Sequence, residues 1–385
     1  MRICYVNPPV LLKRPIAEII DRLNKRGYNT SILIPKIAFK SRDRSKYYSR
    51  MIDKSKVYTY SVFNPPFLSM EQPIPVSVMF PVNVFKALKE NDIIHMWVPY
   101  YLTSFKIILM KKIFFPKKKL ILTMDTIPGY SFNMGGFWDT MFKIYNSLFG
   151  WLLFGTPSII TLYGKDLVKH ALKAGAKKEK IRVIPTGIDK KPRKKYGISL
   201  KKEFGLSSDA KIVLFVGMTI PRKGIGKIIE MARRLKKENI VFLIAGEKRY
   251  GQKEYEQMIK DYKLENKVFL LGQRKDIIRF YQEADIFLLP AEGEGLPGVI
   301  MEAMTFGVPC IASNIPCITE LIENGKTGFL CNPKNINDFT QKIRLLAKNK
   351  QKREKMGRAG MNKIKNFEWK NVLKEYEKLY EELKR

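Results

Sequence analysis

A chain of 385 residues, 45% hydrophobic and 12% aromatic, is long enough for two domains and apolar enough to fill two cores, which excludes a disordered polypeptide. Its formal net charge of +35 is uneven, with 35 Lys and Arg against 12 Asp and Glu in residues 1–200 and 36 against 24 in the remainder. Such a field favours a phosphorylated small molecule, nucleic acid or an anionic membrane surface, although a lysine-rich host proteome would also produce it. Cys4, Cys310, Cys317 and Cys331 form no CxxC pair and have only His95 and His170 as companion imidazoles. The expectation is therefore buried thiols in a reducing compartment, not a disulfide framework or a zinc site.

Met1 leads directly into the strand-like Arg2–Asn7, so no secretory leader is read. Pro15 opens a helix whose face is Ile16, Ile19, Ile20 and Leu23 and which Gly27 ends. Ser31–Ile34 follows as a strand, which makes a β-α-β unit and implies parallel pairing. Residues 38–81 read as irregular loops and short edge strands. The alternation returns with a helix Val82–Lys89, a strand Ile93–Trp97, a helix Thr103–Ile113 and a strand Leu120–Met124.

Residues 144–164 are uncharged and long enough to suggest a membrane span. Gly150, Gly155 and Pro157 divide the stretch into a helix Phe137–Leu153 and a strand Ser158–Leu162. A helix 165–174 and a strand Ile181–Ile184 complete this half, and the basic run Lys190–Lys195 reads as the crossing into a second domain. There the strands Lys211–Val216, Ile240–Ala245, Val268–Leu271, Ile286–Leu289 and Cys310–Ser313 alternate with helices, and the tail from Asn337 is helical. The expected architecture is α/β, with two doubly wound Rossmann-like domains facing a central cleft.

The stretch Ala284–Pro309 carries the strongest chemistry. A buried strand ends at Pro290, a glycine-rich turn follows, and a helix runs from about Leu296 to Phe306. The first amides of such a helix lack partners and carry positive potential, so they can cradle a phosphate. Glu302 lies about one turn inside the helix, where a carboxylate suits the paired hydroxyls of a ribose. Glu294 precedes the helix and faces the other end of a diphosphate. Either acid could instead complement the helix terminus or sit in solvent.

The turn Gly217–Gly224 lacks a Walker pattern, but its Arg222 and Lys223 could place positive charge on a departing diphosphate. No paired-aspartate metal motif is present, so a reaction without metal or other cofactor is expected. In the first half, Asp125 stands just beyond a strand end. His95 reads more readily as a packing residue.

These residues together resemble the retaining glycosyltransferases of family 4, which have the GT-B fold. The resemblance is most specific at Glu294-Gly-Leu-Pro-Gly-Val-Ile-Met-Glu302, the family's E-x7-E signature. It is supported by Phe215-Val-Gly217 with Lys223-Gly224, by Val268–Gly272 with Arg274 and Asp276, and by Asn324–Phe329. It covers nearly the whole second domain and the first more thinly.

It implies an acceptor-side domain over residues 1–195, a nucleotide-sugar-binding domain over 196–366, and a helix over 367–385 that packs back on the first domain. It also implies that Glu302 binds the ribose and Glu294 contacts the donor sugar. Gly295, Leu296, Pro297, Gly298 and Lys223, with the Gly217 loop, would meet the diphosphate, and the main chain near Arg274 the base. Asp125 would serve from the first domain. The chain departs from the family at Met218, where an arginine is usual and Arg222 stands as substitute. It departs again at Met124, where a histidine is common, and in Pro8–Pro15, which replaces a glycine-rich loop.

The activity implied is metal-independent transfer of a hexose, with retention, from a UDP- or GDP-sugar to a glycan or lipid-linked acceptor. A cytoplasmic enzyme is expected, with peripheral contact to an anionic membrane face suggested by Lys111-Lys112, Lys117–Lys119 and the aromatic helix 137–153. The competing readings are a basic nucleic-acid-binding protein, for which no motif is found, and a GT-B-like sugar-nucleotide epimerase or inactive transferase partner.

Overall fold

The computed structural model describes residues 1–9, 12–39, 50–63, 74–131, 135–247 and 251–384. The chain divides into two compact units, one of residues 1–187 with 370–385 and one of residues 188–369.

The first unit is built on a seven-stranded parallel sheet. Its strands are β1 (Arg2–Val6), β2 (Asn29–Pro35), β3 (Lys56–Tyr60), β6 (Ile93–Trp97), β7 (Lys119–Met124), β8 (Ile159–Leu162) and β9 (Ile181–Val183). They lie in the order β3-β2-β1-β6-β7-β8-β9, while β4 (Val62–Phe63) and β5 (Ile74–Pro75) form a separate antiparallel pair. Helices on both faces leave little of the central strands exposed, which is why β1 and β6 read as near-continuous apolar runs.

The helix Arg14–Lys25 buries Ile16, Ile19, Ile20 and Leu23 at 0–1% exposure, each contributing about 1.5–3 kcal/mol. Between residues 38 and 81 the sheet gains its edge strand β3, and the next helix begins at Met79, three residues before the expected Val82. Pro81 is no obstacle there, because the first-turn amides of a helix have no intrahelical acceptor. Residues 40–49 and 64–73 of that stretch lie outside the described residues.

The second unit has a six-stranded parallel sheet of β10 (Lys211–Val216), β11 (Ile240–Ala245), β12 (Val268–Gly272), β13 (Ile286–Leu289), β14 (Cys310–Ser313) and β15 (Gly328–Cys331). Its order is β12-β11-β10-β13-β14-β15. The sequence reading lacks β15, a four-residue strand whose pattern is too short to show a period. In both sheets the order reverses beside the first strand, between β1 and β6 and between β10 and β13. Ligands of such sheets bind at the carboxyl ends of the strands that flank this switch point.

The closing helix Trp369–Lys384 contributes Tyr376 and Tyr380 to the core of the first unit. The Tyr380 hydroxyl lies 2.7 Å from that of Tyr5 and 2.8 Å from His95 Nδ1, while His95 Nε2 lies 2.7 Å from the Thr123 hydroxyl. His95 is fully buried and stacks on Trp97 with ring centroids 4.2 Å apart. It is a packing residue, as expected, but stands in the middle of β6 and not at the strand end where the sequence reading put it, and burial holds its pKa well below the ordinary 6.5. The four cysteines are all buried and none is in a disulfide. Burial pushes the thiols of Cys4 and Cys331 up to about 12. Among the described residues no helix is long and apolar enough to cross a membrane.

Candidate functional site

In the second unit the switch-point strands β10 and β13 each end in a loop that carries candidate residues. The loop after β10 passes Gly217 and forms a single 3-10 turn at Pro221–Lys223. It then reaches Gly224, which has the left-handed φ of +80° and lies so close to the end of β13 that a Cβ there would stand 2.4 Å from the Pro290 carbonyl oxygen. Only glycine meets both demands. A similar approach fixes the base of the loop, where a Cβ on Gly246 would fall 1.7 Å from the Gly217 carbonyl oxygen. The loops after β10, β11 and β13 are thereby held against one another. The amide of Glu292 donates to the Arg222 carbonyl at 2.9 Å.

This packing brings Lys223 onto Glu294. The ammonium donates to Glu294 Oε1, and the two side chains are 13% and 8% exposed. The Arg222 guanidinium donates to the Gly293 carbonyl and stands 4.0 Å from Glu294 Oε2. Burial lowers the Lys223 pKa from its ordinary 10.5, against the opposing pull of Glu294 and with help from Arg222. A lysine in this state gains more from an added anion than a solvated one does. Glu292 sits apart and is largely exposed, paired with Lys227 at 2.8 Å.

Beyond Glu294, Gly295 and Leu296 lead to Pro297, which precedes the helix Gly298–Thr305. That helix has no side-chain cap and no acid in its first turn, so no carboxylate of that turn offsets its terminal positive potential. The expected start at Leu296 shifts to Gly298 because Pro297 is extended, with ψ 107°. Glu302 is 8% exposed. Its Oε1 accepts from Lys191 at 2.9 Å and its Oε2 from Tyr281 at 3.0 Å. A carboxylate held at both oxygens has a fixed orientation.

Neither Lys191 nor Tyr281 was singled out from the sequence. Lys191 lies in a basic run that reads as a linker, and Tyr281 sits in an ordinary amphipathic helix. Their separations of 111 and 21 residues from Glu302 leave no local signal.

Arg274 follows β12, where its guanidinium makes a two-pronged contact with Asp276 at 2.9 Å and reaches Glu203 at 3.2 Å. Its side chain is thus engaged within the second unit. Asp125 belongs to the first unit, immediately after β7. Lys13, in the loop after β1, pairs with it at 3.2 Å. Asn7 closes that loop, accepting from the Lys13 amide and donating to the Pro9 carbonyl, both at 3.0 Å.

Two Rossmann-like parallel sheets of this order define the GT-B fold. HepE of Anabaena in complex with UDP and glucose has that fold at a TM-score of 0.75 and 18% identity, covering 99% of this chain and 100% of its own. Sucrose-phosphate synthase of Thermosynechococcus elongatus matches at a TM-score of 0.76 and 16% identity, covering 100% of this chain and 99% of its own.

Residues 198–363 match the sequence model of the glycosyl transferases group 1. It is 28% identical over 271 residues to the UDP-Gal:alpha-D-GlcNAc-diphosphoundecaprenol alpha-1,3-galactosyltransferase of Escherichia coli, spanning 67% of this chain and 67% of that protein. Over 214 residues it is 31% identical to the N,N'-diacetylbacillosaminyl-diphospho-undecaprenol alpha-1,3-N-acetylgalactosaminyltransferase of Campylobacter jejuni, spanning 54% and 56%.

Proposed function

We propose that the chain transfers a hexose, with retention and without a metal, from a UDP- or GDP-sugar to a lipid-linked or polysaccharide acceptor in glycan assembly. The observation that carries this reading is the junction of Lys223, Glu294 and the uncapped start of helix Gly298–Thr305 at the β10–β13 switch point. An incoming diphosphate would take the ammonium of Lys223, the guanidinium of Arg222 and the amides after Glu294 as its counter-charges. Glu294, relieved of part of its ion pairing, would then accept hydrogen bonds from sugar hydroxyls.

Glu302, held at both oxygens, would receive the ribose diol, and the main chain near Arg274 the base. As the sugar–phosphate bond breaks, negative charge grows on the diphosphate. Two cations and a helix terminus beside it would lower the barrier without a divalent ion. Retention follows from a reaction in which the acceptor attacks on the face that the diphosphate leaves. Asp125 and Lys13 of the first unit are the groups proposed to orient an acceptor.

The relatives named above act on diphosphoundecaprenol-linked sugars, which supports an acceptor of that class; work at the cytoplasmic face of a membrane is proposed with it. The test is a donor screen read by product mass, with membrane extract as acceptor and with chelator present and absent. Transfer of a hexose in chelator is expected by mass, with the anomeric proton coupling of the product reporting an α-linkage. Absence of turnover with any donor, or no preference for UDP or GDP over other nucleotides in titration, overturns the reading.

A further inference from the structure

Helix Gly136–Leu153 of the first unit turns an apolar stripe outward. Phe137, Met141, Ile144, Leu148 and Trp151 are 70%, 45%, 49%, 59% and 62% exposed. At about 100° per residue they fall within an arc of about 80°. Asn146, Gly150 and Leu153, on the other side, are buried. A helix that hides one face in its own protein and offers five large apolar side chains on the other has a second partner to satisfy.

The stripe does not stand alone. Helix Leu102–Phe114 packs beside it through Phe105 and Phe149, with centroids 5.2 Å apart, and ends in the exposed Ile113 and Phe114. Phe85 of helix Met79–Glu90 meets Phe114 at 6.1 Å, and that helix exposes Met79 and Val82. The apolar tract therefore runs over three neighbouring helices.

Its charge chooses the occupant. Residues 102–119 hold six lysines and no carboxylate, with Lys111 buried against the Pro116 carbonyl, and helix Gly136–Leu153 holds one acid, Asp139. The Lys112 ammonium stands 4.0 Å from the centre of the Trp151 ring, which places a cation at the edge of the stripe. Lys117 and Lys119 line an adjoining cavity of about 670 Å³ with Phe114 and Phe115. The nearby acids Glu90 and Asp92 are paired with Lys56 and Arg2, and large apolar and aromatic side chains rimmed by an excess of lysines match the interface of an anionic bilayer. A second copy of this chain would set lysines against lysines across such a contact, because this face carries few acids of its own.

We infer that this three-helix face docks on an anionic lipid bilayer, with Phe137, Leu148 and Trp151 entering the acyl boundary and Lys112, Lys117 and Lys119 at the headgroup phosphates. The inference deepens the proposal of a lipid-linked acceptor and rests on it only for its purpose. Vesicle binding is read without donor or acceptor, and UDP titration without vesicles, so each can fail alone.

The test is flotation of the full chain with vesicles of phosphatidylglycerol and phosphatidylcholine, or of phosphatidylcholine alone. Binding is expected only to the anionic vesicles and is expected to weaken with salt. Of the four tryptophans, Trp97 and Trp369 are buried while Trp138 and Trp151 are exposed, so a blue shift on binding reports this face. That shift is expected to shrink in Trp151→Ala. Lys112→Gln, Lys117→Gln and Lys119→Gln combined are expected to lower partitioning on the order of a hundredfold, and Leu148→Ser with Trp151→Ser to abolish flotation. All five sites are exposed, and an unchanged melting curve certifies the fold of each variant. No flotation with anionic vesicles, equal binding by the folded stripe variant, or a concentration-dependent dimer that the stripe variant abolishes would overturn the inference.

Discussion

Replacing Lys223 by Met asks how the paired charges of the second unit are held. The exchange removes the ammonium that serves Glu294, whose side chain is 8% exposed, and leaves Arg222 at 4.0 Å as its remaining cation. Breaking a buried pair from one side costs roughly 3–5 kcal/mol, because the surviving charge stays desolvated. Arg222 puts the expected loss at the low end, about 3 kcal/mol. For a unit of this size that is a fall of about 6–12 °C in its melting transition.

Glu294→Gln is expected to cost less, since a lysine whose pKa is already lowered by burial can give up its proton. In the double variant both charges are gone. It should recover about 2 kcal/mol relative to the sum of the singles, while UDP binding stays lost because the diphosphate has no ammonium to meet. Calorimetric unfolding gives the stabilities and isothermal titration the affinities. If Lys223→Met melts with the wild type, or the double variant equals the sum of the singles, the ion pair is a surface contact and the site argument fails. If the double variant binds UDP normally, Lys223 does not contact the phosphates.

Glu302→Gln is expected to weaken UDP binding about 10- to 100-fold through loss of charge-assisted hydrogen bonds, whereas Tyr281→Phe, which removes a support, should cost a few-fold; titration that ranks them the other way sinks the ribose assignment. Gly246→Ala places a methyl group 1.7 Å from the Gly217 carbonyl, and circular dichroism melting should show a loss of about 3 kcal/mol or more or failure to fold. His95 has a folded pKa well below its ordinary 6.5. Its contribution to stability is therefore fully present above pH 6.5 and is lost as pH falls below that value, by about 1.4 kcal/mol per pH unit until the folded pKa is reached. Urea titrations from pH 7 to 5 should show this slope in the wild type and lose it in His95→Gln.

Much of the fold was legible because parallel sheets leave strong local marks. Strands such as Ile240–Ala245 are buried on both faces and read as unbroken apolar runs, and the helices between them carry one apolar side. The strand–turn–helix from Ile286 onward, with its glycines and its two glutamates, likewise announces an anion site from composition and spacing alone. The short strand β15 and the early start of helix Met79–Glu90 escaped, because four residues show no period and a proline in a first helical turn resembles a loop.

By itself, then, the sequence determined that Glu294 and Glu302 flank the start of one helix, since both lie on one continuous local element. The tertiary structure alone decided what each carboxylate meets. Lys223, Lys191 and Tyr281 come from other strands, helices and crossings, 71, 111 and 21 residues away. His95 is closed over by Tyr380, 285 residues distant. The reason is the strand order: a sheet that reverses beside its first strand sets the ends of non-consecutive strands together, and no window along the chain contains both.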